Sequence, residues 1–218
     1  MIPATPPPLG FRFGAVEAAV KAPGRLDMGC ILCDRPAAAA GVFTRNRVVA
    51  APVTLCRERV PSAAVRAVLV NAGNANACTG EEGFADAVRL CAAAADALGV
   101  APEAVLPCST GVIGLPLPMQ RMVTALPALE GVMGRDPEPF ARCILTTDTC
   151  AKVAARSVPR GHHEIRVLGI AKGSGMIRPD MATMLGFLVT DAPAGPELLQ
   201  QILGRAAERT FNRITVDG

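Results

Sequence analysis

The stretch "AKGSGMIRPDMATMLGFLVTDA", Ala171 to Ala192, decides how the chain is read. It opens on a lysine, turns through Gly173 and Gly175, and enters an apolar run with the composition of a core strand. That run, "MATMLGFLVTDA", buries one hydroxyl near its start, Thr183, for which a plain core strand has no use. Immediately upstream, "EIRVLGIAK" (164–172) has the β-branched content of a second strand, so the glycine turn joins two strands into one β-loop-β unit.

Working outward, residues 1–10 are a Pro-rich lead-in, and "VVAAPVTL" (48–55) and "AVLVNAG" (67–73) read as further strands bounded by Pro, Asn or Gly. A helix starts at "TGEE", where Thr79 is placed to cap and Glu82, three residues on, to reach back as in a capping box. Phe84, Val88, Cys91, Ala95 and Leu98 then recur at alternating steps of four and three, and Gly99 stands where a left-handed C-cap belongs. A second helix is predicted from Pro196 to Arg209, with Leu198, Leu199, Ile202 and Ala206 on one side. Strands and helices are mixed along the chain, which implies a layered α/β (α+β mixed) domain.

Half of the 218 residues are apolar and 19% are charged, so the chain can bury a core large enough to offset its entropy. With no Trp or Tyr, that core has to be made of Ala, Val, Leu, Ile and Met. A net charge of +3, with basic residues scattered, gives a nucleic-acid backbone little to hold, and the few aromatics offer no stacking platform. No apolar run reaches the roughly 20 residues needed to span a bilayer, and the N-terminus lacks an export signal, so a cytoplasmic protein without membrane or nucleic-acid partners is expected. Eight dispersed cysteines then read as reduced and mostly buried thiols.

Several motifs have plain readings beside functional ones. Cys30 and Cys33 form a lone CxxC without the second ligand pair that structural zinc requires, so no metal is expected. "GHHE" (161–164) reads as a hairpin tip. "KGSG" could cradle an anion with its amides, but its lysine precedes the glycines, the reverse of a P-loop. In "PCSTGVIG" (107–114), Thr110 and Gly111 could offer donors to a developing negative charge, or form an ordinary small-residue turn. "LTTDTC" (145–150) could equally be a plain polar turn.

Taken together, "AAGVFTRNRVVAAPV", "VNAGNANACTGEEG", "STGVIGLPLP", "LTTDT", "KGSGMIRPDMATML" and "FNRITVDG" follow one another as in the ornithine acetyltransferase (glutamate N-acetyltransferase) family, which the chain resembles from about Phe11 to Gly218. The resemblance implies a sandwich of two stacked sheets between helices, of the N-terminal-nucleophile type. It also implies a precursor that cuts itself between Ala182 and Thr183, giving an α chain of residues 1–182 and a β chain beginning at 183. Thr183 would be the nucleophile that moves acetyl from N-acetylornithine to glutamate in arginine biosynthesis.

By the same resemblance Thr110 and Gly111 form the oxyanion hole, while Lys172, Thr183 and the Thr146–Thr147 segment contact substrate. No cofactor is implied; acetyl-CoA is the candidate additional co-substrate, and the two chains are expected to assemble as an α2β2 heterotetramer. Two departures accompany it. Asp180 stands where the family commonly has Asn, which puts a carboxylate beside the cleavage point. The sequence also ends at Gly218, where family members continue into a segment with further substrate contacts, so a C-terminally truncated chain is expected. Two other readings stay open: an aminopeptidase or amidase with an N-terminal nucleophile that passes its acyl group to water, and a non-catalytic fragment in which Thr183 is a core residue.

Overall fold

The "AVLVNAG" run lies within β3 (Ser62–Asn74), where strand alternation divides its side chains between two apolar clusters. Ala67 and Leu69 join one cluster, Val70 the other. A strand buried on both faces belongs inside a layered domain. The computed structural model describes residues 5–161, 163–178 and 183–217. In it, β1 (Phe11–Val16), β2 (Met28–Ala39), β3 and β4 (Val105–Val112) form one sheet in that order, antiparallel except for the parallel β3–β4 pair. The second sheet is the antiparallel β5 (Lys152–Arg160), β6 (His163–Lys172) and β7 (Leu185–Thr190). The β-loop-β unit expected from the sequence is therefore β6–β7, and "GHHE" falls at the β5–β6 hairpin tip, with His162 outside the described residues.

The two sheets stack through Phe13, Ile31 and Val70 of the first and Ala155, Leu168, Ile170 and Val189 of the second. Phe140, from α5 (Glu138–Cys143), bridges them: its ring centroid is 6.5 Å from that of Phe13 and 5.3 Å, edge to face, from that of Phe187. Burying one such ring stabilises the stack by about 1.5–3 kcal/mol. The other face of the first sheet is covered by α2 (Gly80–Leu98), α3 (Met119–Ala125) and α4 (Pro127–Val132), through Leu90, Cys91, Met122 and Leu129. No helix among the described residues is long and apolar enough to cross a membrane.

The structure corrects several local expectations. "VVAAPVTL" is not a strand: Ala51–Arg59 is a helix, α1, with Pro52 in its first turn. Proline's fixed φ suits that position and its missing N–H costs nothing there. Pro52, Leu55 and Cys56, at helical spacing, are buried, so packing overrides the β-branched content. The capping box does not form either. Thr79 Oγ1 donates instead to Oδ1 of Asn76 at 2.7 Å, and Asn76, itself buried, donates Nδ2 to the Gly83 carbonyl at 2.8 Å. Gly83 is required there, since a Cβ on it would lie 1.9 Å from Thr79 Oγ1.

Gly99 does adopt the left-handed C-cap, at φ 64°. The buried stripe of α2 runs along Ala87, Leu90, Cys91 and Ala94, leaving Val88 exposed, because small alanines let the helix lie close to the sheet. The last helix, α6, spans Pro196–Arg209 as expected, but Leu198 and Ile202 are about half exposed and only Ala207 is buried. Cys30 and Cys33, three apart on β2, project from opposite faces of that strand; burial pushes their thiols up to about 12 and about 11.

Candidate active site

Parallel pairing of β3 with β4 lays "NAGN" beside "STGV": Asn71 against Ser109, Ala72 against Thr110, Gly73 against Gly111, Asn74 against Val112. The buried Asn71 accepts a hydrogen bond from Ser109 Oγ at 2.6 Å and donates Nδ2 to the Asn74 carbonyl at 2.9 Å. Asn74 Nδ2 in turn donates to the Pro116 carbonyl at 2.7 Å. Gly73 and Gly111 adopt φ of 138° and 131°, open in practice only to glycine, and a Cβ on Gly111 would sit 2.1 Å from the Gly73 carbonyl oxygen. Thr110 and Gly111 therefore stand not in a turn, as the sequence suggested, but in β4, held by backbone contact with β3 and by a buried amide side chain.

Lys172 reaches the end of β4 from the other sheet. It ends β6, is 5% exposed, and donates from Nζ to Thr110 Oγ1 at 2.9 Å. Burial pushes its ammonium below the ordinary lysine value; the Asp148 carboxylate opposes this, and the Lys152 and Lys21 ammoniums add to it. Thr110, accepting from Lys172, keeps its own hydroxyl proton for another partner.

Beside Lys172, the Gly173 amide donates to Asp148 Oδ1 at 2.8 Å, and Lys152 Nζ donates to the same carboxylate oxygen. Burial pushes the Asp148 carboxyl up, but the Lys152 ammonium and the Gly173 and Thr146 amides outweigh it, so the net direction is down. Because the Gly173 amide is spent on Asp148, "KGSG" does not offer it to an anion.

Thr183 is exposed rather than buried, which corrects the core-strand reading of its position. It precedes β7 by two residues, and in the β6–β7 register Lys172 pairs with Leu185. Its Oγ1 donates to the Met176 carbonyl. Its φ of 83° is strained for a β-branched residue, at a cost of about 1–3 kcal/mol. Thr146 and Thr147 are exposed in the connection between α5 and β5, and the Thr146 amide faces Asp148. Ala182 and Asp180 lie outside the described residues.

The fold thus gathers Lys172, Thr110 and Gly111 at one place, with the Thr146–Asp148 turn tied to Gly173. The sequence reading missed Asp148, Asn71 and Asp217. Asp217 Oδ2 accepts from the Met176 amide at 3.2 Å, and Ile177 bridges Val216, so Val216 and Asp217 back the glycine turn. For Asp148 the only signal was its place in "LTTDT"; its partner Gly173 is 25 residues away. No group of three or more His, Cys, Asp or Glu placed to hold a metal occurs among the described residues.

Two outcomes follow from these environments. A lysine whose folded pKa is lowered costs stability at every pH below both its values, and that cost fades as pH rises through the folded value. Lys172→Met should therefore raise the melting temperature at neutral pH, by roughly 2–4 °C for each kcal/mol recovered, as read by thermal denaturation. Asp148 has the opposite sign. Its lowered folded pKa contributes stability above the unfolded value, lost as pH falls through the folded one. Unfolding midpoints measured below about pH 4 should fall less steeply in Asp148→Asn than in the unaltered chain.

The ArgJ family model matches residues 12–218. The arginine biosynthesis bifunctional protein ArgJ of Geobacter sulfurreducens is 51% identical over 210 residues, which cover 96% of this chain and 53% of that protein. The chain thus spans about half the length of the curated relatives it matches. Among solved structures, the arginine biosynthesis bifunctional protein ArgJ of Bacillus halodurans superposes with a TM-score of 0.75 at 37% identity, covering 80% of this chain and 92% of that one. The ornithine acetyltransferase of Mycobacterium tuberculosis, complexed with ornithine, gives 0.70 at 35% identity, covering 82% and 94%. The L-aminopeptidase D-Ala-esterase/amidase of Ochrobactrum anthropi, a variant of the Ntn hydrolase fold, gives 0.55 at 12% identity over 100% of this chain and 73% of that one, a likeness of fold alone. With a family match running from residue 12 to residue 218, the chain belongs to the ArgJ family.

Proposed function

We propose that this chain carries the nucleophile and oxyanion site of a glutamate N-acetyltransferase that takes its acetyl group from N-acetylornithine. The observation that carries the proposal is the hydrogen bond from the buried Lys172 to Thr110, made in the corner where the strand following Thr183 pairs with Lys172. The ornithine bound to the Mycobacterium tuberculosis relative supports the choice of substrate.

Thr183 Oγ first attacks the Ala182 carbonyl. The C–N bond breaks, the nitrogen takes up a proton, and water hydrolyses the resulting ester. The strain at Thr183 favours that cleavage because cutting the chain releases it. Residues 1–182 become an α chain and Thr183 begins a β chain. The matched solved chains are nearly filled by four-fifths of this one, whereas the Geobacter relative is filled only by half, which fits division of family members into two chains. The new α-amine, with a reference pKa near 7.7–8.0, takes the proton from its own hydroxyl. Attack on the acetyl carbonyl expels ornithine and leaves an acetyl-threonine ester. Glutamate's amine attacks that ester, regenerating the hydroxyl.

Both tetrahedral oxyanions are met by the Thr110 hydroxyl proton left free by Lys172 and by the Gly111 amide. Losing one such donor costs about 2.7–4 kcal/mol of transition-state stabilisation. The Lys172 ammonium serves a substrate carboxylate and the charge beside the nucleophile, and Thr146 and Thr147 line the substrate. No cofactor takes part, acetyl-CoA is the candidate second acetyl donor, and the enzyme works in the cytoplasm as an α2β2 assembly. The test is to incubate the full-length, processed protein with labelled N-acetylornithine alone. Acetyl should accumulate on the peptide that begins at Thr183 and leave on addition of glutamate. Steady release of acetate without acceptor would instead support an amidase.

A further inference from the structure

We propose that Asp148 is a positioning residue of this site: its carboxylate clasps the Gly173 amide and the Lys152 ammonium, and so fixes the end of β6 from which Lys172 reaches Thr110. The inference rests on reading Lys172, Thr110 and Thr183 as one site and adds a residue to it.

Three observations carry it. The Asp148 side chain is fully buried, and its bond to Gly173 spans 25 residues, so it is a tertiary clasp and not a local turn. Its second oxygen, Oδ2, is buried without a direct hydrogen-bond partner among the described residues. A turn needing only an acceptor for Gly173 would be served by asparagine, which carries no charge to desolvate. The need for a full negative charge lies next to it, where Lys152, Lys172 and, from the segment between β1 and β2, Lys21 concentrate positive charge. Lys21 is held separately, donating to the Cys143 carbonyl at 2.7 Å, which leaves Asp148 as the carboxylate facing Lys172.

The position of Asp148 also joins two parts of the site. It follows Thr146 and Thr147 directly and has the Thr146 amide near enough to favour its charged form, so one carboxylate couples the turn proposed to line the substrate to Lys172. Gly173, at φ 147°, packs against Ile177 and Met184, whose nearest atoms lie 2.8 and 3.6 Å from where its Cβ would stand, and Met184 is bonded to Thr183. Loosening the clasp would shift Lys172 against Thr110 and tilt the loop that presents the nucleophile.

The full-length chain with Asp148→Asn or Asp148→Glu, after self-cleavage, provides the test. Asp148→Asn should lower kcat by roughly 100-fold, with KM for N-acetylornithine and glutamate held within about threefold. Asp148→Glu, which restores the charge, should recover part of the loss. The alkaline limb of the kcat/KM profile should move to lower pH in Asp148→Asn, because Lys172 then gives up its proton more readily. A second readout needs no catalysis: in a Thr183→Ala background, the Lys172 side-chain titration followed by NMR should move down when Asp148→Asn is added. An unmoved titration would overturn the proposal. So would a loss of activity that parallels loss of folded protein and disappears on cooling. Should the unaltered protein neither cut itself nor transfer acetyl, the reading of the site fails by itself, and the titration still decides Asp148.

Discussion

Thr183→Ala in the full-length precursor is expected to give one uncut band on a denaturing gel where the unaltered protein gives two, and to reduce acetyl transfer by about 10⁴-fold or more. In the proposed mechanism the same side chain is used twice, first against the Ala182 carbonyl and then against the acetyl group. Its removal therefore takes away the covalent intermediate, and the α-amine that would have served as base is never freed. Thr183→Ser separates these roles from packing. It keeps the hydroxyl, eases the strain of a β-branched residue at φ 83°, and should still cut itself, with transfer partly retained. Intact mass of the products and the ratio of transfer rates read both variants. Two bands in Thr183→Ala would move the cleavage point elsewhere and remove the basis of the mechanism.

Gly111→Ala should be the most damaging small substitution in the first sheet. The new Cβ would meet the Gly73 carbonyl oxygen at 2.1 Å and the Asn74 nitrogen at 2.8 Å, both backbone atoms of the paired strand, at a φ of 131°. Neither neighbour can swing aside as a side chain would. A cost of about 3 kcal/mol or more follows, equivalent to a fall in melting temperature of roughly 6–12 °C. Transfer should be lost as well, since moving Gly111 displaces the amide assigned to the oxyanion. Gly114→Ala is the control: its φ is 83° but nothing lies within 4 Å of the added methyl, so only backbone strain remains, about 1 kcal/mol. Equal melting temperatures for the two variants would contradict the close approach of β3 and β4.

Much of the fold was legible because periodicity reports burial. The β6–β7 unit, the β3 strand, the left-handed Gly99 and the bounds of α6 all follow from local pattern and glycine chemistry. The failures came from competition, by packing in one case and by a neighbouring side chain in another. β-Branched content at 48–55 lost to the burial of Leu55 and Cys56 in a helix that Pro52 is suited to open, and the capping box lost to the buried Asn76. The apolar composition around Thr183 suggested burial, but two residues before β7 the backbone leaves it exposed.

By itself, the order of motifs determined the family, and the family resemblance implied roles for Thr110, Gly111, Lys172 and Thr183, because the order of residues along the chain is what a sequence records. Tertiary structure alone decided that Lys172 from the second sheet meets Thr110 of the first across 62 residues, and that Asp148 answers Gly173. Those contacts arise where the parallel β3–β4 pair and the β6–β7 hairpin end side by side, and burial there gives each hydrogen bond and charge a weight that the exposed chain would not show.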